Sequence, residues 1–265
     1  MTDIHSTALV DPGAELGSGV KIGPYSIVGP KVRLGDGCLV HPHVVITGDT
    51  TIGAKCEIFP FASVGHVPQD LKFGGEETSL VIGENTIIRE HATLNPGTEG
   101  GGMVTRVGSN CFLMVASHVA HDCQLGDNIV LANNSTLAGH CVVQDHAILA
   151  GMTGFHQFVR IGAYAFIGGM SGVAGDVIPF GMVIGNRGAL TGLNIIGMRR
   201  LGFDKEQIHN LRKAYRMLFS IEGTLKERME DVEKMFEGDA QVARILEFIR
   251  EDSDRPLCVP KNNVE

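Results

Sequence analysis

Residues 113–142 read LMVASHVAHDCQLGDNIVLANNSTLAGHCV, and a six-residue beat runs through them. Val119, Leu125, Leu131 and Leu137 lead each beat, and Cys123, Ile129, Ser135 and Cys141 follow their leaders by four places. A period of six with two inward positions fits neither a helical stripe, which recurs at 3.6, nor simple strand alternation. His118, His121, Asp122 and His140 stand between the apolar positions.

The beat extends outward in both directions. Upstream the leaders are Leu16, Ile22, Val28, Leu34, Val40, Ile46, Ile52, Ile58 and Val64, then Ile82, Ile88 and Leu94. Downstream it runs from Val107 to Val173 and ends near Ile178 and Pro179. This hexapeptide pattern predicts a mainly β fold, a left-handed parallel β-helix in which three faces make an 18-residue coil and each coil buries its leaders against its neighbours. Two interruptions, at 65–80 (GHVPQDLKFGGEETSL) and 95–106, predict loops expelled from the solenoid. Residues 1–190 form the predicted β-helix and 191–265 a C-terminal α-helical domain. Within the latter, FDKEQIHNLRKAYRMLFS, TLKERMEDVEKMFE and AQVARILEFIRE carry three amphipathic helical patterns, and PLCVPKNNVE reads as irregular.

Composition sets the remaining bounds. The 265 residues carry 35 glycines, no Trp and a net charge of −8. That balance suits a soluble fold with many turns and argues against a general nucleic-acid binder. The N-terminus has no basic segment leading into an apolar run, and no stretch approaches a membrane span, so the expectation is a cytoplasmic protein without an integral membrane segment. Cys38, Cys56, Cys111, Cys123 and Cys141 share one place in the beat and read as small core residues, neither metal ligands nor disulfides.

Stacking by 18 maps neighbours across coils. Gly139 lies over His121, His140 over Asp122, and His156 two coils over Ala120, so three histidines are expected to converge on one corner. A neutral imidazole can take a proton from an attacking hydroxyl, and a nearby carboxylate can hold its tautomer. His121 with Asp122 is the candidate pair, although Asp122 needs a turn to face back. The Gly139 N–H is a candidate oxyanion donor. The bare column Asn133, Gly151, Gly169 is a candidate groove for an acyl chain, while His41, His43 and His146 read as solvated corner residues. A zinc site built from His118, His121 and His140 is the competing chemistry, and a ligand-free structural solenoid is the third reading.

The runs VPQDLKF (67–73), ASHVAHDC (116–123), LANNSTLAGH (131–140), GMTGFHQF (151–158) and NIIGMRRLGF (194–203) occur in that order. Together they resemble the UDP-N-acetylglucosamine O-acyltransferases of lipid A biosynthesis, which use acyl-carrier-protein thioesters. The resemblance covers nearly the whole chain. It implies that His121 is the general base assisted by Asp122, and that Gly139 supplies the oxyanion contact. It further implies that His118, His140, His156 and Gln157 position substrate, that Gln69, Asp70 and Lys72 meet the sugar and its phosphates, and that Asn194 and Arg200 meet the nucleotide. Gly169 matches a hydrocarbon ruler. The resemblance implies a homotrimer with acyl carrier protein as partner, needing neither metal nor another cofactor. Arg199, Arg200, Arg212, Lys213 and Arg216 would meet the acidic carrier. Arg187 and Ile196 depart from the family pattern, where a histidine and an acidic residue are expected. The nearest rival in the same chemistry, a lipid A N-acyltransferase, is expected to carry a further N-terminal domain before its hexads.

Overall fold

A computed structural model describes residues 2–261. Short strands, mostly two residues long, form three faces of eleven, nine and eight strands; each joins every third strand in parallel, except at the end of the first, where Gly181–Ile184 follows Phe166–Ile167 and Ala189–Leu193 pairs antiparallel. The coil is the expected left-handed parallel β-helix with a C-terminal helical bundle. Leaders from Ile22 to Val173 are at most 5% exposed, as are the residues four places after them, from Val20 to Val177. Each fully buried leader is worth about 1.5–3 kcal/mol in transfer free energy. The outward positions alternate with them, so the prism has a thin, continuous apolar core.

Left-handed corner residues let the chain turn. Residues two before each strand pair repeatedly adopt a left-handed backbone, Asp122 at φ 62° and His140 at φ 63° among them. Close coil-to-coil approach accounts for part of the glycine load: a Cβ at Gly35 would lie 2.6 Å from the Ala54 nitrogen in the next coil. All six cysteines are buried and unpaired, and burial raises the Cys111 and Cys258 thiols to about 11.

The two excursions are shorter than their sequence suggested. Strands Ser79–Ile82 and Val104–Val107 reclaim the ends of both, pairing in parallel with each other, and the first also with Asp49–Ile52. Their inward residues include Leu80 and Thr105, both fully buried, and the polar side chain of Thr105 at a core position hid the beat in the second excursion. Paired residues on the second face are 18 apart between His118 and Thr136, but 30 apart between Ser63 and Thr93 and 25 between Thr93 and His118. The excursions therefore leave the stacking undisturbed.

Beyond the last coil, Gly181–Ile184 and Ala189–Leu193 form an antiparallel hairpin that the hexapeptide beat did not announce. A six-residue helix, α1 (Ile195–Arg200), is also additional to the three expected. Those three are α2 (Lys205–Leu218), α3 (Leu225–Met235) and α4 (Ala240–Arg250), with capping boxes at Asp204/Gln207 and Thr224/Glu227 starting the first two. The bundle is fastened to the solenoid by buried Asp176, which accepts hydrogen bonds from the Arg160 backbone N–H, the Arg160 guanidinium at 2.7 Å and the Ser253 hydroxyl at 2.6 Å. Pro256–Cys258 runs alongside as an extra strand-like segment. The expected irregular tail is in part beyond view, since residues 262–265 lie outside the described residues.

Candidate active site

Strand His118–Val119 delivers the chain to the corner that closes the second face, and the left-handed turn at Asp122 brings its carboxylate back against the preceding imidazole. His121 Nδ1 lies 2.8 Å from Asp122 Oδ2. An ionised carboxylate only accepts, so Nδ1 carries the proton and Nε2 is left bare as a base. Both side chains are buried, Asp122 completely and His121 to 7% exposure. The turn that Asp122 was expected to need is therefore present.

Gly139 underlies this imidazole. A Cβ there would stand 2.6 Å from His121 Nε2, so only glycine leaves the ring its place. The Gly139 carbonyl accepts from the Phe158 N–H, whereas its own N–H donates to no described residue. His140 meets His121 edge-on at 5.0 Å between ring centroids and stacks on Phe158 at 4.4 Å. Its Nε2 is 3.8 Å from Asp122 Oδ2. Burial lowers the His140 pKa, the Asp122 charge opposes that, and Asp70 and Lys72 act on it with opposite signs. Within the first excursion, Asp70 accepts from the Lys72 N–H at 3.0 Å. Gln69 and Lys72 are exposed there. His118 is turned to Thr93, Nδ1 to Oγ1 at 2.7 Å, and its pKa is lowered by burial and then by His121.

Other candidate residues lie apart from this corner. His156 is exposed, its Nδ1 is 3.3 Å from the Gln157 carbonyl, and it makes no described contact with His121 or His140. The expected convergence of three histidines is thus two imidazoles in contact and a third displaced. Stacking by 18 sets the column of His156 but not its distance, and two coils of rise separate it from Ala120. His156 instead lines a cavity of about 990 Å³ with Thr136, Gly154, Gly172, Arg187 and Val259. Gly151 and Gly169 sit at the opposite edge of the second face, beside Met152 and Met170, which are 63% and 74% exposed. Six residues of strand and turn, roughly 20 Å, separate the two edges.

Asn194 is buried as the N-cap of α1: its carboxamide oxygen accepts from the Gly197 N–H and its nitrogen donates to the Tyr164 carbonyl. The side chain expected to meet a nucleotide is thereby engaged within the chain. Arg200 is exposed at the C-terminal end of the same helix, and Ile196 is also exposed. Among the described residues, the possible metal ligands within 4.8 Å of one another are His121, Asp122 and His140, not the His118, His121 and His140 of the competing zinc reading. Three threonines escaped the sequence reading. Thr93 holds His118, Thr98 donates to both Asp122 oxygens, and the Thr105 hydroxyl accepts from the Asp122 N–H at 2.7 Å. The 18-residue map could not find Thr98, because it lies in an excursion.

Known proteins resemble the chain over most of its length. The model of UDP-N-acetylglucosamine O-acyltransferase domain 2 matches residues 176–258, and the bacterial transferase hexapeptide model matches 13–48 and 105–139. The chain is 46% identical to the acyl-[acyl-carrier-protein]–UDP-N-acetylglucosamine O-acyltransferase of Bartonella henselae, over 98% of this chain and 95% of that one. It is 56% identical to the protein of the same name from Methylobacterium radiotolerans, over 77% and 75%. The structure of UDP-N-acetylglucosamine acyltransferase from Campylobacter jejuni superposes with a TM-score of 0.92 at 39% identity, covering 98% of this chain and all of that one. The chain belongs to the UDP-N-acetylglucosamine O-acyltransferase family of hexapeptide-repeat transferases.

Proposed function

We propose that this protein transfers a 3-hydroxyacyl group from acyl carrier protein to the 3-hydroxyl of UDP-N-acetylglucosamine, the first step of lipid A biosynthesis. The observation that carries the reading is the buried His121–Asp122 pair with the unengaged Gly139 N–H beneath it. His121 Nε2 takes the hydroxyl proton as the sugar oxygen attacks the thioester carbonyl, and the Gly139 N–H stabilises the oxyanion. Collapse breaks the C–S bond, and the imidazolium returns its proton to the departing phosphopantetheine thiolate. Atoms and charge balance without a metal, a cofactor or an acyl-enzyme. Neutral His118 and His140, kept so by burial, can meet a substrate without adding positive charge beside the base.

The acyl chain is assigned to the Gly151–Gly169 edge, with Gly169 as the ruler. The nucleotide sugar is assigned to Gln69, Asp70 and Lys72, with His156 and Gln157 beyond them and Arg200 at the nucleotide. These groups occupy different edges of one narrow prism, so a single substrate reaches all of them only when a neighbouring copy contributes some. That favours a homotrimer with sites between subunits. Asn194 caps α1, the helix that ends at Arg200. No helix among the described residues is long and apolar enough to cross a membrane, and a cytoplasmic location suits a soluble carrier and a nucleotide sugar.

The deciding experiment incubates the protein with UDP-N-acetylglucosamine and a panel of acyl carrier proteins and follows products by mass spectrometry. A singly O-acylated UDP-sugar, formed fastest with one 3-hydroxyacyl length, is expected. Acylation only of an amino sugar would establish the N-acyl reading instead.

A further inference from the structure

We infer that Thr98 is a positioning residue that commits the Asp122 carboxylate to His121. The kinetic part of this inference rests on the acyl-transfer reading above; the geometric part does not. Asp122 has two imidazoles within reach, His121 Nδ1 at 2.8 Å and His140 Nε2 at 3.8 Å, both measured to Oδ2. A carboxylate on a corner residue can rotate between such partners. Thr98 removes that freedom by a two-point clamp: its N–H donates to Oδ1 at 2.8 Å and its hydroxyl to Oδ2 at 2.6 Å.

The clamp is built into the second excursion. Gly101 packs so closely on the carboxylate that a Cβ there would collide with it. The turn closes on Thr98 itself, whose carbonyl accepts from the Gly101 and Met103 N–H groups at 3.1 and 3.0 Å. Ser79 and Glu76 hold the excursion from outside, by accepting from the Gly97 and Glu99 N–H groups respectively. Thr98 is 4% exposed and Asp122 3%, so water does not replace a lost donor. A buried carboxylate short of one donor seeks another, and the nearest is His140. With Asp122 turned to His140, His121 loses the partner that keeps its proton on Nδ1 and its Nε2 free.

The test removes the hydroxyl alone. Thr98→Val keeps the backbone donor and the volume, and Thr98→Ser restores the hydroxyl. In the acyl-carrier assay, Thr98→Val is expected to lower kcat about tenfold or more with KM for UDP-N-acetylglucosamine within about twofold, and Thr98→Ser to recover most of it. In an Asp122→Asn background the same valine should cost less than about twofold, because both changes act through one carboxylate. Independently of turnover, long-range proton–nitrogen spectra of 15N-histidine-labelled protein should show His121 as one tautomer, Nδ1–H, in the wild type and as a mixture in Thr98→Val. An undiminished kcat in Thr98→Val, an equal penalty in the Asp122→Asn background, or an unchanged tautomer overturns the inference. If the wild type transfers no acyl group, the acyl-transfer reading fails and the tautomer decides this one alone.

Discussion

At the corner that opens the second face, His43 (φ 61°) and His91 (φ 60°) stack with Tyr25 and Phe61 in a ladder of rings 5.1–5.2 Å apart. At the corner that closes the same face, His140 (φ 63°) also stacks, on Phe158, but its other side meets His121 and Asp122. Backbone and residue type are shared by the two corners. A buried carboxylate, a ring one residue before it, and an excursion that folds over both are found only at the second among the described residues. A corner histidine in this fold is therefore a stacking element until something desolvates it and supplies an acceptor.

Exchanging alanine for histidine at each corner is the most severe way to break that comparison. His121→Ala is expected to lower kcat for acyl transfer roughly a thousandfold, within the range of a lost general base, while the molecular mass in solution stays that of the wild type. His43→Ala should remain within about twofold of the wild type. Size-exclusion chromatography with light scattering separates lost chemistry from lost assembly. Near-normal turnover in His121→Ala removes the base assignment, and a large loss in His43→Ala erases the distinction between the corners.

How far the two corners could be told apart from the sequence depends on periodicity. The leaders from Ile22 to Val173 are apolar and regularly spaced, so the solenoid followed directly from them. The stacking of Gly139 on His121 followed too, because no insertion lies between those residues. Thr98 did not: it belongs to an excursion where the count restarts, and its contact with Asp122 spans 24 residues. The fully buried Thr105 likewise concealed the strand that ends the second excursion, since an inward hydroxyl breaks an apolar beat without breaking the coil. Beyond Val177 the hexapeptide rule stops, and the hairpin of Gly181–Ile184 with Ala189–Leu193 and the short α1 have no equivalent rhythm to announce them.

A gentler change addresses the glycine edge opposite the base. A Cβ at Gly169 would approach the Gly151 carbonyl oxygen to 3.3 Å, a contact that a small shift can relieve, and the backbone there needs no positive φ. Gly169→Met is thus expected to fold while extending a side chain along the surface already bearing Met152 and Met170. If that edge measures the acyl chain, the ratio of kcat/KM for shorter over longer donors should rise by about tenfold, the scale set by a methylene or two of apolar contact. Competing donors of different length in one reaction read the ratio directly. An unchanged preference would detach the glycine edge from the substrate and leave the histidine corner as the whole site.

The smallest effect concerns what burial of histidine costs the fold. The pKa values of His118 and His140 are both lowered below the usual 6.5, each by burial first. The unfolded chain takes up these protons as pH falls through about 6.5, before the native state does, so stability drops with falling pH across that window and is complete above it. The carboxylates held below 4.5, such as Glu90 and Glu227, change the balance only at lower pH, so the contribution of His118 and His140 between pH 7.5 and 5.5 is separate from theirs. The drop should be modest, because Asp122 pulls the His140 pKa upward against its burial. Tm measured at pH 7.5 and 5.5 should fall by less in His118→Asn than in the wild type, since asparagine keeps a polar partner for Thr93 without a proton to gain. Equal falls in the two proteins would mean that desolvation at this corner is not stored as a stability cost, and would weaken the contrast with the solvated ladder on which the assignment of chemistry rests.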